Sequence, residues 1–444
     1  MVEQKRDVRD VGRRILRRGA QGVTTVRRTV ARRRNLFFYL GVIGPGVITA
    51  CAGNDAGGIA TFASVGADYG YRLLWLLVPL TFSLGIVQEM CARMGAVTGK
   101  GLSDLIRERF GVRWTAFVML ALLIANGGVT VSEFAGIAAA LELLGVARFV
   151  SVPVAAIAIW WLVVKGTYQR VERVFLAMSL VFLAYVVSAF LAHPPWATVA
   201  REIVRPHFEM TPLFLFTFVA VIGTTISPYM QVFIQSSVVE KGVRAENYRL
   251  TKIDVWVGTI FAILIVFFIV ISTAATLNAK GEHIESAAQA ASALRPLAGP
   301  YAEVLFAIGL FGASMLAAGV LPLATAYSIS EAFGFEKGVS SSFREAPIFL
   351  GVFTFLVVLG ATVAMTPGLS LIRLLIVTQV INGILLPVIL IAVLKLVNNR
   401  ELMGQHVNGP LYNVAAWATT IIVSLLSIMV IITTLFPKLF SSFS

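Results

Sequence analysis

The chain has 444 residues, of which 58% are hydrophobic and 13% charged, and its formal net charge is +13. Soluble domains are about 45–50% apolar and about 25% charged, so this chain lacks the polar residues to cover a water-facing surface. A soluble enzyme, a disordered chain and a disulfide scaffold are therefore excluded. The composition predicts a polytopic α-helical membrane protein, because the alternating strands that an outer-membrane barrel needs are missing.

The first 35 residues are strongly basic and hold 12 of the 36 lysines and arginines. Their charge and their lack of an apolar face predict a cytoplasmic tail, mostly disordered, that is attracted to anionic lipid. A nucleic-acid-binding arm is the alternative. A signal peptide is not predicted, because no short apolar core with a small-residue cleavage site follows. Cys51 and Cys91 fall in apolar stretches and are expected to be buried thiols.

Apolar stretches of about the length of a bilayer crossing follow one another along the rest of the chain. Eleven are predicted, at residues 37–64, 72–94, 115–144, 149–165, 174–192, 212–237, 253–277, 301–331, 346–365, 371–396 and 413–436. Lysine and arginine concentrate in the tail and in alternate loops. This distribution favours an amino terminus inside the cell and, with an odd number of spans, a carboxyl terminus outside.

Sequence motifs for catalytic or ATP-driven machinery are missing. The sequence has no GxxxxGK[ST] loop for a nucleotide, and HExxH, CxxC and GxSxG do not occur. The four histidines fall in predicted loops, at His193, His207, His283 and His406. The sequence therefore predicts neither an enzyme nor a cofactor, and any transport is expected to be of the secondary type.

The first apolar stretch is interrupted at residues 53–58, which read GNDAGG. Three glycines within six residues disfavour a continuous helix, and an acid at this depth is costly and often functional. Asp55, beside backbone freed by the break, can supply oxygen ligands to a hard cation. The alternative is a glycine-mediated helix contact in which Asp55 caps the amino end of a helix.

A second interruption lies within the sixth stretch, where Pro228 follows hydroxyl side chains at Thr224, Thr225 and Ser227. Proline removes a backbone donor and frees carbonyls about one turn earlier. Taken alone, this pattern favours a proline kink in which serine and threonine hydroxyls form hydrogen bonds with the freed backbone groups. Broken helices in spans 1 and 6, at equivalent places of two five-span halves, instead indicate an inverted-repeat transporter with its site at mid-membrane.

Three further polar side chains lie within apolar stretches. Glu133 in span 3 can pair with an arginine, carry protons or remain a structural buried acid. Gln379 and Asn382 in span 10 are three residues apart and share a helix face. They can offer amide oxygens to a cation or its water shell, or they can form hydrogen bonds between helices.

Several motifs, in this order and spacing, resemble the NRAMP family of divalent-metal transporters over roughly residues 36–436. They are Gly44-Pro45-Gly46, Asn54-Asp55-Ala56-Gly57-Gly58, Tyr69 to Trp75, Gln88 to Gly101, Ser132 to Gly136, Gly312 to Gly319, Gln379-Val380 and Leu402-Met403-Gly404. The resemblance implies an all-α, LeuT-like fold with two inverted five-helix repeats at about 37–192 and 212–396. An eleventh helix at 413–436 and an extracytoplasmic tail at 437–444 complete the implied organisation, and an oligomer is not required.

The departures from the family pattern concern the expected site. The first-helix motif of the family is Asp-Pro-Gly-Asn. This chain keeps Asp55 but has Ala56 in place of the proline and Gly58 in place of the asparagine. The sixth-helix motif is Met-Pro-His, and here Ser227 and Tyr229 replace the methionine and the histidine. An acid that often precedes the third-helix glutamate is replaced by Thr130. These changes resemble the NRAMP-related magnesium transporters, a prokaryotic branch of the family.

Each departure has a chemical interpretation. Methionine is a soft ligand that favours transition metals, and Ser227 replaces it with a hard oxygen or with space. Gly58 enlarges the pocket, which suits magnesium because this ion usually keeps several of its waters. Without the histidine and the acid, the proton path implied by the family has fewer titratable groups. Its remaining polar network is expected at Glu133, Tyr229 and Thr130.

The sequence thus predicts a prokaryotic inner-membrane importer of Mg²⁺, and also of Mn²⁺, that works by alternating access with weak or no proton coupling. Asp55 is expected to supply the main charge. The other metal-contacting positions are expected at Asn54, Gly58, Thr224, Ser227 and Gln379, where the backbone carbonyl near Thr224 and the side chains near Ser227, Asn54 and Gln379 would orient ligands or waters. Three different functions stay open: a proton-coupled Mn²⁺ or Fe²⁺ importer of the ordinary NRAMP type, a LeuT-like carrier of amino acids or organic cations, and a receptor or scaffold without transport.

Overall fold

The computed structural model describes residues 53–165, 183–336, 338, 343–368 and 371–435. Helices dominate these ranges, and no strand occurs within them. In chain order the helices are α1 (Ala56–Tyr69), α2 (Leu74–Thr98), α3 (Leu102–Phe110), α4 (Val112–Glu142), α5 (Arg148–Lys165), α6 (Leu183–Leu191), α7 (Trp196–Ile203), α8 (Pro212–Thr225), α9 (Pro228–Glu240), α10 (Tyr248–Thr276), α11 (Ala287–Ser292), α12 (Arg295–Ala298), α13 (Ala302–Phe333), α14 (Pro347–Ala364), α15 (Leu371–Val397), α16 (Arg400–Met403) and α17 (Pro410–Leu435). The all-α prediction is confirmed for the described chain.

Nine helical segments of the described chain are long and apolar enough to cross a membrane. They coincide with nine of the predicted spans, in which α8 and α9 together form one segment; the largest departure is Ala245–Lys280, which begins eight residues before the predicted span 253–277. The tail at 1–35, the start of the first span with Cys51, much of the span at 174–192 and the tail at 437–444 lie outside the described residues. The nine membrane-length apolar segments identify the protein as an integral membrane protein.

The second predicted helix break is present, and the described side of the first agrees with a break, because residues 53–55 are not helical. Asp55 caps α1 with extended backbone at φ −71° and ψ 177°. In the second break, α8 ends at Thr225 and α9 begins at Pro228. Between them Ile226 leaves helical geometry, at φ −118° and ψ 60°, and Pro228 has no N–H with which to continue the ladder.

Glycine lets the central helices approach closely around these breaks. A Cβ added to Gly136 of α4 would overlap Ala56 of α1 and Ser314 of α13, and a Cβ added to Gly223 of α8 would overlap the backbone of Gln379 on α15. Small residues of this kind allow close helix packing in a membrane, where no hydrophobic force drives helices together. Five helices, α1, α4, α8, α13 and α15, therefore converge on the broken segments.

The periphery of the bundle presents large apolar side chains outward. Ile124 of α4, Ile157 and Trp161 of α5, and Leu425 and Ile428 of α17 are all more than half exposed. Such residues on the outer helices form the surface that a bilayer would cover. The polar side chains considered below lie instead in the interior, which separates the candidate site from the lipid-facing surface.

Candidate functional site

Asp55 is fully buried at the amino end of α1. Its Oδ1 accepts a hydrogen bond of 2.5 Å from the backbone N–H of Gly58, so the capping role considered from the sequence is present. Nε2 of Gln379 lies 3.4 Å from both carboxylate oxygens. An ionised carboxylate has about four lone-pair sites. Capping with one oxygen is therefore compatible with binding a cation through the other.

Gly58 brings the start of α1 close to Thr224 of α8, beside Asp55. A Cβ added to Gly58 would lie 2.9 Å from Thr224 Oγ1, 3.1 Å from Asp55 Oδ1 and 3.1 Å from the carbonyl oxygen of Gly53. Thr224 is fully buried, and its Oγ1 has no hydrogen-bond partner among the described residues. A carboxylate, a hydroxyl and a carbonyl oxygen thus surround this position, and oxygen is the ligand type that hard divalent cations prefer.

Ser227 lies in the second break and precedes α9, but its side chain does not cap that helix. Its Oγ donates to the carbonyl of Gly223 at 2.7 Å and lies 3.3 Å from the carbonyl of Thr224. These carbonyls belong to the last turn of α8, which the break leaves without helical donors. The Thr224 carbonyl, which we expected as a ligand, is therefore contacted by Ser227, and the unpartnered oxygen of Thr224 is its hydroxyl.

Gln379 and Asn382 are fully buried and share one face of α15, as predicted. Asn382 Nδ2 donates to Gln379 Oε1 at 3.3 Å, while Gln379 Nε2 is turned towards Asp55. The Oδ1 of Asn382 has no partner within the described chain. Gln379 thus presents a donor to the carboxylate in this arrangement. The same amide, turned over, would present Oε1 to a cation held by Asp55.

Glu133 of α4 is fully buried and reaches the same end of α1. Its Oε2 accepts a hydrogen bond of 3.0 Å from the backbone N–H of Ala56, and its Oε1 lies 3.4 Å from Ser132 Oγ. Two carboxylates, those of Asp55 and Glu133, therefore bind the first N–H groups of α1, where the helix dipole favours negative charge. Through this contact Glu133 holds the start of α1 against α4.

Three more of the predicted positions are buried at or beside the breaks. Asn54 Nδ2 donates to the carbonyl of Ala262 on α10 at 3.1 Å, which ties the segment before α1 to that helix. Thr130 packs against α14, because a Cβ added to Gly360 would lie 3.1 Å from its methyl group. Tyr229 is fully buried in the first turn of α9.

The sulfur and imidazole side chains make other contacts or lie outside the membrane-length helices. The sulfur of Met230, the methionine next to the second break, accepts a hydrogen bond of 3.7 Å from Gln88. All four histidines lie outside the membrane-length helices, as predicted, and Cys91 is a buried free thiol in α2. Within the described ranges, no three His, Cys, Asp or Glu side chains form a metal-binding group. The site therefore consists of one capping carboxylate with neutral oxygens, close to a second acid.

Two features of this site were not predicted from the sequence. The hydroxyl of Thr224, rather than its carbonyl, faces Gly58. The glycine contact between α8 and α15 was not predicted either: Gly223 and Gly383 let these helices touch through their backbones. A contact of this kind was considered at the first break, where a Cβ on Gly57 would overlap the amide of Gln379. The signal that could have found them is the recurrence of glycine inside apolar helices, which marks close helix contacts.

Comparisons with known proteins agree with this architecture. The Nramp family profile, described as natural resistance-associated macrophage protein-like, matches residues 46–433. The divalent metal cation transporter MntH of Deinococcus radiodurans is 28% identical over 420 residues, which cover 91% of this chain and 90% of that protein. The protein of the same name from Pectobacterium carotovorum is 28% identical over 380 residues, covering 83% and 89%.

Solved structures share the fold. The manganese transporter of Eremococcus coleocola, in complex with an aromatic bis-isothiourea compound, has a TM-score of 0.70 at 21% identity and covers 88% of this chain and 85% of that one. The nucleobase-cation-symport-1 transporter Mhp1 has a TM-score of 0.54 at 15% identity and covers 88% and 90%. These likenesses confirm the LeuT-like fold predicted from the sequence. Because the family profile extends over residues 46–433, this chain belongs to the Nramp family.

Proposed function

We propose that this Nramp protein is a secondary transporter that imports divalent cations, chiefly Mg²⁺ and also Mn²⁺, by alternating access with weak or no proton coupling. The observation that carries the proposal is the oxygen cluster at the breaks, where Asp55, Thr224 and the Gly53 carbonyl lie close around Gly58. The named relatives are transporters of divalent metal cations or of manganese, which supports the substrate class. The ion is the transported substrate, and no cofactor is needed.

The donor atoms and the space favour a hard, partly hydrated ion. Magnesium binds one or two carboxylates and usually keeps several waters. Asp55 supplies one carboxylate, and the smaller Gly58 and Ser227 replace the amide and the thioether of the family pattern. A thioether would favour softer transition metals. Ser227 Oγ and Thr224 Oγ1 can instead orient the waters of the ion. Gln379 lies at the Asp55 carboxylate, and Asn54 precedes Asp55 in the chain.

A proton-coupled Mn²⁺ or Fe²⁺ importer is the second candidate, and the names of the relatives favour it. Coupling requires titratable groups that lead away from the site. Thr130, one turn before Glu133, packs against Gly360 of α14, and α14 itself contains no Asp, Glu, His, Lys or Arg. This composition supports weak or absent coupling, with Glu133 and Tyr229 as the remaining polar groups.

A carrier of amino acids or an inert receptor fits the site less well. In a LeuT-like amino-acid carrier, a broken-helix amino end holds the carboxylate of the substrate. Here the protein's own carboxylates, Asp55 and Glu133, bind the N–H groups at the start of α1. An anionic substrate group would therefore meet negative charge at this place. An inert receptor or scaffold would have no need of two buried acids at a helix break.

We place the protein in the bacterial cytoplasmic membrane, with its amino terminus inside and its carboxyl terminus outside. The basic loops that support this orientation adjoin α3 and the start of α10, with Lys100, Arg107, Lys241 and Arg244 among their residues. Anionic lipid is the proposed partner of the basic segment 1–35. An inside-negative potential would then drive import, since two inward charges are worth roughly 4.6 kcal/mol per 100 mV.

Uptake into liposomes tests the proposal. Purified protein is reconstituted with an inside-negative potential, and Mg²⁺ and Mn²⁺ are offered separately and together while internal pH is followed. We expect Mg²⁺ uptake that competes with Mn²⁺ and no acidification linked to the metal. Mn²⁺ uptake that a large Mg²⁺ excess leaves unchanged, or clear metal-dependent acidification, would instead establish the ordinary proton-coupled importer.

A further inference from the structure

The short helix α3 packs on the bundle with one face and presents charged side chains on the other. Leu102, Leu105 and Ile106 are buried, whereas residues 107–109, two arginines and a glutamate, are exposed. The helix connects α2 to α4, which are both long enough to cross a membrane. An amphipathic helix in this place lies along the membrane surface, where the two longer helices leave the bilayer.

A sharp bend at Gly111 joins α3 to α4. Gly111 has a φ of 79°, a left-handed conformation that favours glycine, and a Cβ added there would have no neighbour within 4 Å. Just after the bend, Val112 and Trp114 are 65% and 64% exposed, and Trp114 meets the ring of Phe117 edge-on. Exposed tryptophan at the end of a membrane-crossing helix is typical of the headgroup level. The bend is therefore open and lies at the depth of the lipid headgroups.

Basic side chains from α3, α4, α15 and α16 meet at this bend. The Nζ of Lys395, near the end of α15, lies 6.0 Å from the centre of the Phe110 ring. Nη1 of Arg109 lies 3.6 Å from Oε2 of Glu401 on α16, which follows a further arginine in the chain. Another arginine lies two residues after Gly111. We call the four basic residues the α3 cluster: Arg109, Arg113, Lys395 and Arg400.

The α3 cluster carries an excess of positive charge. Arg113, Lys395 and Arg400 form no ion pair with any residue that the structure describes. Only Arg109 has an acidic partner, Glu401, and their side chains are 57% and 82% exposed. An ion pair as exposed as this one contributes little and is screened by salt. Four cations therefore face one carboxylate, and most of their charge is available to a ligand.

The start of α3 is fixed to the bundle, so the α3 cluster is held in place. Gln235 Nε2 of α9 donates to the carbonyl of Lys100 at 2.9 Å. Ser236 of the same helix donates to Oε1 of Glu331 on α13, and a Cβ added to Gly101 would overlap that carboxylate. The basic groups thus extend from an anchored helix, which reduces the cost of ordering them around a ligand.

We propose that the α3 cluster binds the phosphate headgroup of an anionic lipid in the membrane leaflet next to α3. Guanidinium groups, such as those of Arg113 and Arg400, have paired N–H donors that match the oxygens of a phosphate, and Lys395 adds a point charge. Beyond the bend, Val112 and Trp114 are placed against the upper part of the acyl chains. Charge and depth together therefore recognise a lipid. This site differs from the basic segment 1–35, and it does not depend on which cation is transported.

Quenching of tryptophan fluorescence tests the lipid site. The full chain is reconstituted at low ionic strength in phosphatidylcholine vesicles that contain a fixed fraction of brominated lipid, either phosphatidylglycerol or phosphatidylcholine. Bromine quenches a tryptophan that it contacts, and the Trp114→Phe variant identifies the part of the quenching that belongs to Trp114. We expect brominated phosphatidylglycerol to quench Trp114 more strongly than brominated phosphatidylcholine at the same fraction.

Charge variants locate the binding groups. Arg113→Gln and Arg400→Gln each remove one exposed cation, and each is expected to reduce the preference for phosphatidylglycerol about fivefold. The matched control is Lys100→Gln, which removes the same charge next to α3 from a lysine whose Nζ lies 2.6 Å from Glu108. We expect the control to keep the preference. The segment 1–35 is present in every variant, so its own attraction to anionic lipid cancels in the comparison.

Three outcomes overturn the lipid site. Equal quenching of Trp114 by the two lipids in the protein with its arginines intact would show that no anionic headgroup is selected there, whatever the variants do. An equal loss of preference in Arg113→Gln, Arg400→Gln and Lys100→Gln would reveal only the general attraction of a basic surface. Loss of the preference on addition of inorganic phosphate at constant ionic strength would identify a site for soluble anions instead of a lipid.

Discussion

The break before α1 and the break between α8 and α9 expose different backbone groups. At the first break the carboxylates of Asp55 and Glu133 accept hydrogen bonds from the opening N–H groups of α1. At the second break the hydroxyl of Ser227 donates back to the carbonyl of Gly223, and Pro228 opens α9 without an N–H. The negative charge of the site thus comes from the first repeat, whereas the second repeat contributes neutral oxygens.

This difference assigns separate roles to the two breaks in the proposed mechanism. Attraction of a dication depends on charge, which the helix dipole stabilises at the start of α1. Discrimination between dications depends on donor type and room, which Ser227 and Thr224 control at the end of α8. Charge changes should therefore have large effects at the first break, and changes of shape or donor type should alter selectivity at the second.

Asp55→Asn is expected to have the largest effect. Asparagine caps a helix about as well as aspartate, so α1 should keep its start while the site loses its charge. We expect Mg²⁺ and Mn²⁺ uptake to fall to background with little change in melting temperature. Ser227→Ala, which alters the second break without changing its charge, should retain substantial uptake. Near-normal transport by Asp55→Asn would remove this carboxylate from the ion site.

Gly223→Ala tests the packing that brings the second break to α15. The added methyl overlaps the backbone of Gln379 and Gly383, and overpacking of this kind costs about 1–3 kcal/mol. Gly351→Ala on α14 is the matched control, because an added Cβ has no neighbour within 4 Å there. We expect a lower melting temperature in detergent for Gly223→Ala and an unchanged or slightly higher one for the control. Equal melting temperatures would mean that α8 and α15 can separate at no cost.

Ser227→Met should change selectivity more than rate. A thioether beside Asp55 favours a transition metal over Mg²⁺, and it removes the hydroxyl that donates to Gly223. We expect the ratio of Mn²⁺ to Mg²⁺ uptake to rise severalfold in competition, with some loss of Mg²⁺ transport. Ser227→Leu, of similar size but without a donor atom, is the control. If both variants shift the ratio equally, size rather than donor type determines the selectivity.

Much of the fold was predictable because membrane-crossing helices depend on local sequence. A run of apolar residues between polar loops fixes each span, and the two interruptions were marked by glycines around Asp55 and by Pro228. The position of Glu133 near the first break was not predictable from spacing, since it depends on how α4 packs against α1. That packing rests on Gly136, which admits Ala56 and Ser314.

The orientation of side chains at the site was the least predictable feature. The sequence indicated amide oxygens from Gln379, yet its Nε2 faces Asp55 because its Oε1 accepts from Asn382. Likewise, Ser227 takes the carbonyl of Thr224 as a partner and leaves the threonine hydroxyl unpartnered. Such choices follow from hydrogen bonds between distant segments, which residue type and spacing do not determine.

Glu133→Gln should have a smaller effect than Asp55→Asn, although both acids contact the start of α1. The amide oxygen of glutamine can still accept the hydrogen bond from Ala56, so the anchor between α4 and α1 is kept. Under weak proton coupling we expect uptake to persist at a reduced rate and internal pH to remain unaffected. If the unmodified protein acidifies the liposome with Mn²⁺ and Glu133→Gln abolishes that acidification, Glu133 carries protons and the coupling proposal is wrong.

The smallest expected effect is a pH dependence at the end of α1. The hydrogen bond to Asp68, with a further contribution from the charges of Asp68 and Glu285, raises the pKa of His283 above its usual 6.5. Below 6.5 the histidine is protonated and neutralises Asp68; as the external pH rises through the raised pKa, the proton is lost and this link weakens. The uncompensated Asp68 then attracts the dication, so the KM for Mg²⁺ should fall as pH rises. In His283→Gln the KM should be low and nearly independent of pH, because glutamine has no charge to lose. A pH dependence that persists in this variant would originate in another group, and the first break, with its two acids, would be the next place to search.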